Sequence, residues 1–96
     1  MTGNQGNSSR RHELIESAQA LVLGIANALI DCPEAAQVEV IPDGDGVTLR
    51  LRVASADLGK IIGKEGRTAR SIRTILAAAS MKTQTRFALD IEESPY

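Results

Sequence analysis

The residues most suited to chemistry lie together in one stretch, Gly63-Lys64-Glu65-Gly66 followed at once by Arg67. Two glycines three apart are a common accident, so their flanks must carry the argument. Leu58, Ile61 and Ile62 precede the pair, and a segment carrying Arg67, Arg70 and Arg73 follows it. A residue without Cβ lets a phosphate backbone come close, and a helix starting just beyond points unpaired N–H groups and its positive end at that phosphate. Gly66 is expected to need positive φ, Lys64 at the tip and Arg67 in the first turn add mobile positive charge, and Ile61 and Ile62 can wall unstacked bases. Such a loop holds a short single strand by its backbone on one side and by its bases on the other.

Other chemistries fit these residues less well. Gly59-Lys60-Ile61-Ile62-Gly63-Lys64-Glu65 is one residue short between the glycines of a nucleotide-binding P-loop, and it has Glu65 where Ser or Thr must hold magnesium. His12 and Cys32 are the single histidine and the single cysteine, too few for a zinc site and, for the cysteine, for an internal disulfide. The carboxylates are scattered rather than paired, so neither catalysis nor a metal or cofactor is expected. The plain alternatives stay open: an ordinary helix–helix turn for Gly63–Gly66, and a solvated face for the arginines.

The positioning elements follow from length, composition and periodicity. The 96 residues are 43% apolar but only 2% aromatic, so they form one small domain with an aliphatic core. Net charge is −1, yet Gly59 to Arg86 holds seven bases and one acid, a local +6 able to meet a polyanion. The polar N-terminus lacks a signal pattern and no apolar run reaches the roughly 20 residues that span a bilayer, so a cytoplasmic setting away from membranes is expected.

Residues 1–12 lack apolar side chains after Met1 and read as an unstructured tail. Leu14, Ala18, Leu21, Val22, Ile25 and Leu29 recur at helical spacing from Glu13 to about Asp31, and Pro33 disfavours helix at Cys32. Leu23 and Ile30 point away from the stripe set by Leu14, Leu21 and Ile25 and, with Ile75 at the edge of the Ile72/Leu76 face later in the chain, are candidates for a protein-docking surface. Alternation predicts strands around Val38 and Val40 and from Val47 to Val53, joined through Pro42-Asp43-Gly44-Asp45-Gly46. A short helix capped by Ser55, with Asp57 in its first turn, is expected from Ala56 to Ile62. A longer one follows from Arg67 to Ala79 with Ala69, Ile72 and Leu76 inward, then a strand from Thr85 to Ile91 and a C-terminal tail at 93–96.

Leu58-Gly59-Lys60-Ile61-Ile62-Gly63-Lys64-Glu65-Gly66-Arg67-Thr68 resembles the core of a KH domain, whose signature is I-G-x-x-G. The α-β-β-α-α-β order is similar to the type II arrangement, and one such domain in a short chain resembles the KhpA family of small bacterial proteins. The likeness runs from about Glu13 to Glu92. It implies an α+β type II KH domain over 13–92, with a three-stranded mixed sheet and helices on one face. It also implies single-stranded RNA as ligand, held by Gly63, Lys64, Glu65, Gly66 and Arg67 with Ile61, Ile62, Lys60 and Arg70 around them. The resemblance further implies an RNA chaperone or post-transcriptional regulator linked to cell shape and cell-wall homeostasis. Its partner would be a second copy or a larger, KhpB-like multidomain KH protein.

Overall fold

A computed structural model of the chain describes the backbone of residues 2–95 and the side chains of residues 10–95. The order is α1 (Thr2–Leu29), β1 (Gln37–Asp43), β2 (Gly46–Val53), α2 (Leu58–Ile62), α3 (Arg67–Thr83) and β3 (Phe87–Glu93), with single 3-10 turns at Pro33–Ala35, Ser55–Asp57 and Lys64–Gly66. This is the α+β order expected. β1 and β2 form an antiparallel hairpin with Gln37 opposite Arg52 and Asp43 opposite Gly46. β3 lies parallel to β2, Val47 opposite Phe87, because the chain crosses back through α2 and α3 before re-entering the sheet.

Register sorts the side chains onto two faces. Val38, Leu51 and Ile91 share one row and Val40, Leu49 and Leu89 the next, and this face meets the helices. Val22, Leu49, Leu51, Val53 and Ile61 are wholly buried there. The inward residues of α3 are Ala69, Ile72 and Leu76, as its periodicity indicates. The opposite face carries Glu39, Arg50 and Asp90 in one row and Gln37, Arg52 and Glu92 in the next.

α1 differs from expectation in phase and extent. Its buried residues are Ala18, Val22 and Ala26, continued just past the helix by Ile30 at a spacing of four, while Leu21 and Leu29 are exposed. Small side chains at Ala18 and Ala26 let the helix axis approach the core closely, which leucines there would prevent. Ile30 is therefore buried and Leu23 packs partly against the core, so neither is a free docking residue. The helix also runs back to Thr2, where residues 1–12 read as an unstructured tail; once a helix is nucleated, each further residue adds a backbone bond. At the other end α3 continues to Thr83, β3 takes in Glu93, and the Ser94 N–H donates to the Val53 carbonyl at 2.7 Å, which shortens the expected tail.

Both outer strands are interrupted along their free edges. On β1 the Gln19 side chain donates to the Val38 carbonyl at 2.7 Å, and Pro42 has no N–H to offer. On β3 the Phe87 N–H donates to the Ser80 hydroxyl at 3.0 Å and the Leu89 carbonyl accepts from Arg73 at 3.3 Å. Among the described residues no helix is long and apolar enough to cross a membrane.

Candidate nucleic-acid interface

The loop between α2 and α3 is built on two glycines with different tasks. Gly63 closes α2, its N–H donating to the Gly59 carbonyl at 2.8 Å, and takes φ 78°, ψ 172°. That backbone region belongs almost exclusively to glycine. A Cβ at Gly63 would overlap the Thr68 side chain and lie 2.9 Å from the Thr68 amide nitrogen. Gly66 has φ 73° and ψ 13°, but a Cβ there would meet nothing within 4 Å. Between them Lys64 is exposed and Glu65 sits in the left-handed region at φ 57°.

α2 has five residues, and consecutive residues on a helix point about 100° apart, so Ile61 and Ile62 cannot share a wall. Ile61 is 0% exposed and belongs to the core, whereas Ile62 is 40% exposed. Lys60 is also withdrawn from the expected set: its ammonium lies 2.8 Å from Asp31 and 3.0 Å from Asp57. Arg67 is exposed but paired with Glu65 at 2.9 Å. Among the described residues Lys64 and Arg70 have no carboxylate partner.

Ile62, Gly66 and Arg70 come together with Ala69, Arg73, Asp90 and Ile91 around an open groove of about 480 Å³ between α3 and β3. Sequence reasoning placed no residue of β3 beside the loop. The alternation through Leu89 and Ile91 signalled the strand, but only its parallel pairing with β2 sets its free edge along α3. The floor of the groove is aliphatic, and its rim carries two cations, Arg70 and Arg73, against one acid, Asp90.

The opposite sheet face is a poor rival for a polyanion, although it carries Arg50 and Arg52. Arg50 lies 3.2 Å from Glu92, 3.6 Å from Asp90 and 3.7 Å from Glu39, and Arg52 lies 3.5 Å from Glu39 and 3.4 Å from Glu92. Two cations among three acids leave that face slightly negative.

Asp57 sets where α2 leaves the core. Ser55 makes no side-chain cap, and Asp57, which stands at the N-terminus of α2, makes no side-chain cap hydrogen bond there. Its carboxylate is 0% exposed and accepts from the Asp31 N–H at 3.1 Å, the Cys32 N–H at 3.0 Å and Lys60 at 3.0 Å, tying the end of α1 to the start of α2. The Asp31 N–H is the largest influence and holds the carboxyl below the ordinary aspartate range; burial pulls the other way, and Lys60 and the Cys32 N–H add to the lowering. Lys60 is raised, first by Asp31 and then by Asp57. A depressed acid stabilises the fold above its unfolded pKa, about 3.9, and loses that effect as pH falls through the folded value. A raised base stabilises below about 10.4 and loses its effect above. Asp57→Asn is therefore expected to lower the melting temperature at neutral pH, with the gap to the parent closing below about pH 4, as thermal melts across pH would read. A gap that persists unchanged at pH 2 would remove the carboxylate from the account.

A family model described as KhpA/KhpB, KH domain matches residues 19–91. The chain is 47% identical over 79 residues to the RNA-binding protein KhpA of Treponema pallidum, covering 81% of this chain and 98% of that one. It is 43% identical over 67 residues to the protein of that name from Clostridium acetobutylicum, covering 70% and 89% of the two chains. To that of Halalkalibacterium halodurans it is 42% identical over 73 residues, covering 76% and 96%. No solved structure matches the chain.

Proposed function

This chain belongs to the KhpA/KhpB KH-domain family, and from that premise we propose that it binds single-stranded RNA without catalysis in the groove between α3 and β3. Phosphates lie along Gly63-Lys64-Glu65-Gly66, Arg67 and Arg70, and bases face Ile62 and Ile91. The observation that carries this reading is the distribution of charge. Arg50, Arg52 and Lys60 are held by carboxylates, whereas Lys64, Arg70 and Arg73, at the loop and groove, have no carboxylate partner among the described residues. Arg67 exchanges one anion for another when a phosphate displaces Glu65.

A salt titration tests it. With about three phosphates neutralised, the log–log slope of affinity against salt is expected near −2 for a single strand. No aromatic side chain lines the groove, so the roughly 1–3 kcal/mol per base that stacking supplies is missing and the isolated domain binds weakly. Affinity that ignores salt would overturn the electrostatic account.

Self-association, or pairing with a KhpB-like multidomain KH protein, is a second reading favoured by the exposed side of α3, where Ile75 is 44% and Met81 84% accessible. Ile75→Glu is expected to give a folded monomer, since a two-fold contact brings the new charge against its own copy. Sedimentation equilibrium checks it, and a parent protein that is monomeric throughout would remove the homodimer. The physiological role that accompanies both readings is that of a cytoplasmic RNA chaperone or post-transcriptional regulator linked to cell shape and cell-wall homeostasis.

A further inference from the structure

A second set of cations without carboxylate partners among the described residues lies at the far end of α3. Arg10, Arg11 and Lys82 border a hollow of about 440 Å³ formed where the Arg10–Leu14 stretch of α1, the β1–β2 turn and the end of α3 meet. Arg11 donates to the Asp45 backbone carbonyl at 3.2 Å, which fixes α1 to the hairpin turn and leaves most of the guanidinium's donors unused. Asp45 supplies the one acid of the lining, against three bases. The hollow's wall is firm: Thr85 is buried, and the Thr83 hydroxyl donates to the Ala79 carbonyl at 2.9 Å and accepts from the Thr85 N–H at 3.2 Å. Arg10 and Arg11 precede the portion matched by the family model, whereas Asp45 and Lys82 lie within it.

We propose that this hollow is a second phosphate-binding surface for the strand held by the Gly63–Gly66 loop, so that the footprint extends along the whole of α3. It rests on the RNA reading above. Charge complementarity selects the occupant: three exposed cations around an open polar hollow suit a phosphodiester backbone, which asks for neutralisation rather than for shaped pockets. Arg67 and Lys82 are separated by about 22 Å at 1.5 Å per helical residue, a span that roughly seven stacked nucleotides cross at 3.4 Å each.

The test compares two oligouridylates, one of about four nucleotides, the length a GxxG loop clamps, and one of about twelve. They are titrated against the full chain, its Lys82→Gln variant and the triple variant Arg10→Gln, Arg11→Gln, Lys82→Gln. The parent is expected to bind the long strand more tightly and with a steeper salt slope. The triple variant should lose about ten-fold in affinity for the long strand and about 2 from its slope, with Lys82→Gln showing roughly a third of that slope change. Neither variant should change affinity for the short strand. Equal loss for both lengths, or no loss for either, would overturn the proposal while leaving the groove intact, the second outcome assigning the hollow to a partner other than RNA. Failure of the parent to bind either strand would overturn the RNA reading and this proposal with it. Lys82→Gln changes an exposed side chain, so its result stands even if the triple variant is destabilised.

Discussion

Gly63→Ala is expected to destabilise the domain by about 2–4 kcal/mol, lowering its melting temperature by at least roughly 10 °C, and to remove RNA binding. Two independent effects combine. The backbone region that Gly63 occupies is denied to residues with a Cβ, and the added methyl would collide with Thr68, whose amide nitrogen cannot move without disturbing the first turn of α3. Relief requires the loop to rotate, which takes Lys64 and Gly66 away from the groove. Gly66→Ala is the internal control: its left-handed backbone costs a non-glycine residue about 1–2 kcal/mol, but the methyl enters open space. The two variants should therefore differ clearly in chemical denaturation. Equal midpoints would show that close approach to Thr68 does not govern the loop.

Replacing Lys64 and Glu65 together by aspartate is expected to abolish measurable RNA binding while leaving the fold intact. The loop's formal charge passes from zero to −2 at the point where phosphate arrives, and at surface dielectric the repulsion is on the order of 2 kcal/mol, about thirty-fold, on an already weak complex. The fold survives because both positions are exposed and aspartate accepts the left-handed backbone at position 65 better than most residues. The RNA reading is falsified if this variant, shown to be folded by circular dichroism, binds single-stranded RNA as tightly as its parent.

What could be read from the chain alone was whatever local periodicity determines. The hairpin, the last strand and the inward face of α3 depend on alternation or on a clear three-and-four spacing, and those residues lie where the pattern puts them. In α1 Ala18 and Val22 are buried as the spacing indicates, but Leu21 and Leu29 are not, because two stripes overlap in it: the leucines are the more hydrophobic set, whereas the set with alanines allows the closer approach. Within the loop region the glycines and Lys64 were legible. Lys60 and Ile61 were not, since one is claimed by Asp31 from a distant helix end and the other by the core, and both facts arise from packing between segments far apart in sequence. The same holds for Asp57, whose two backbone donors lie beyond α1.

The interrupted strand edges bear on how this chain fares when crowded. A short sheet with open flanks is a template on which another chain's strand can grow, the first step toward fibres. Here a newcomer at β1 must displace Gln19 and then meet Pro42, and at β3 it must displace Ser80 and Arg73. Each obstacle is anchored on α1 or α3 or is built into the strand, so fibre seeding is gated by local unfolding of those helices rather than by collision between native copies. Folded protein can thus accumulate to high concentration, and its aggregation rate should follow helix opening instead of rising with every encounter.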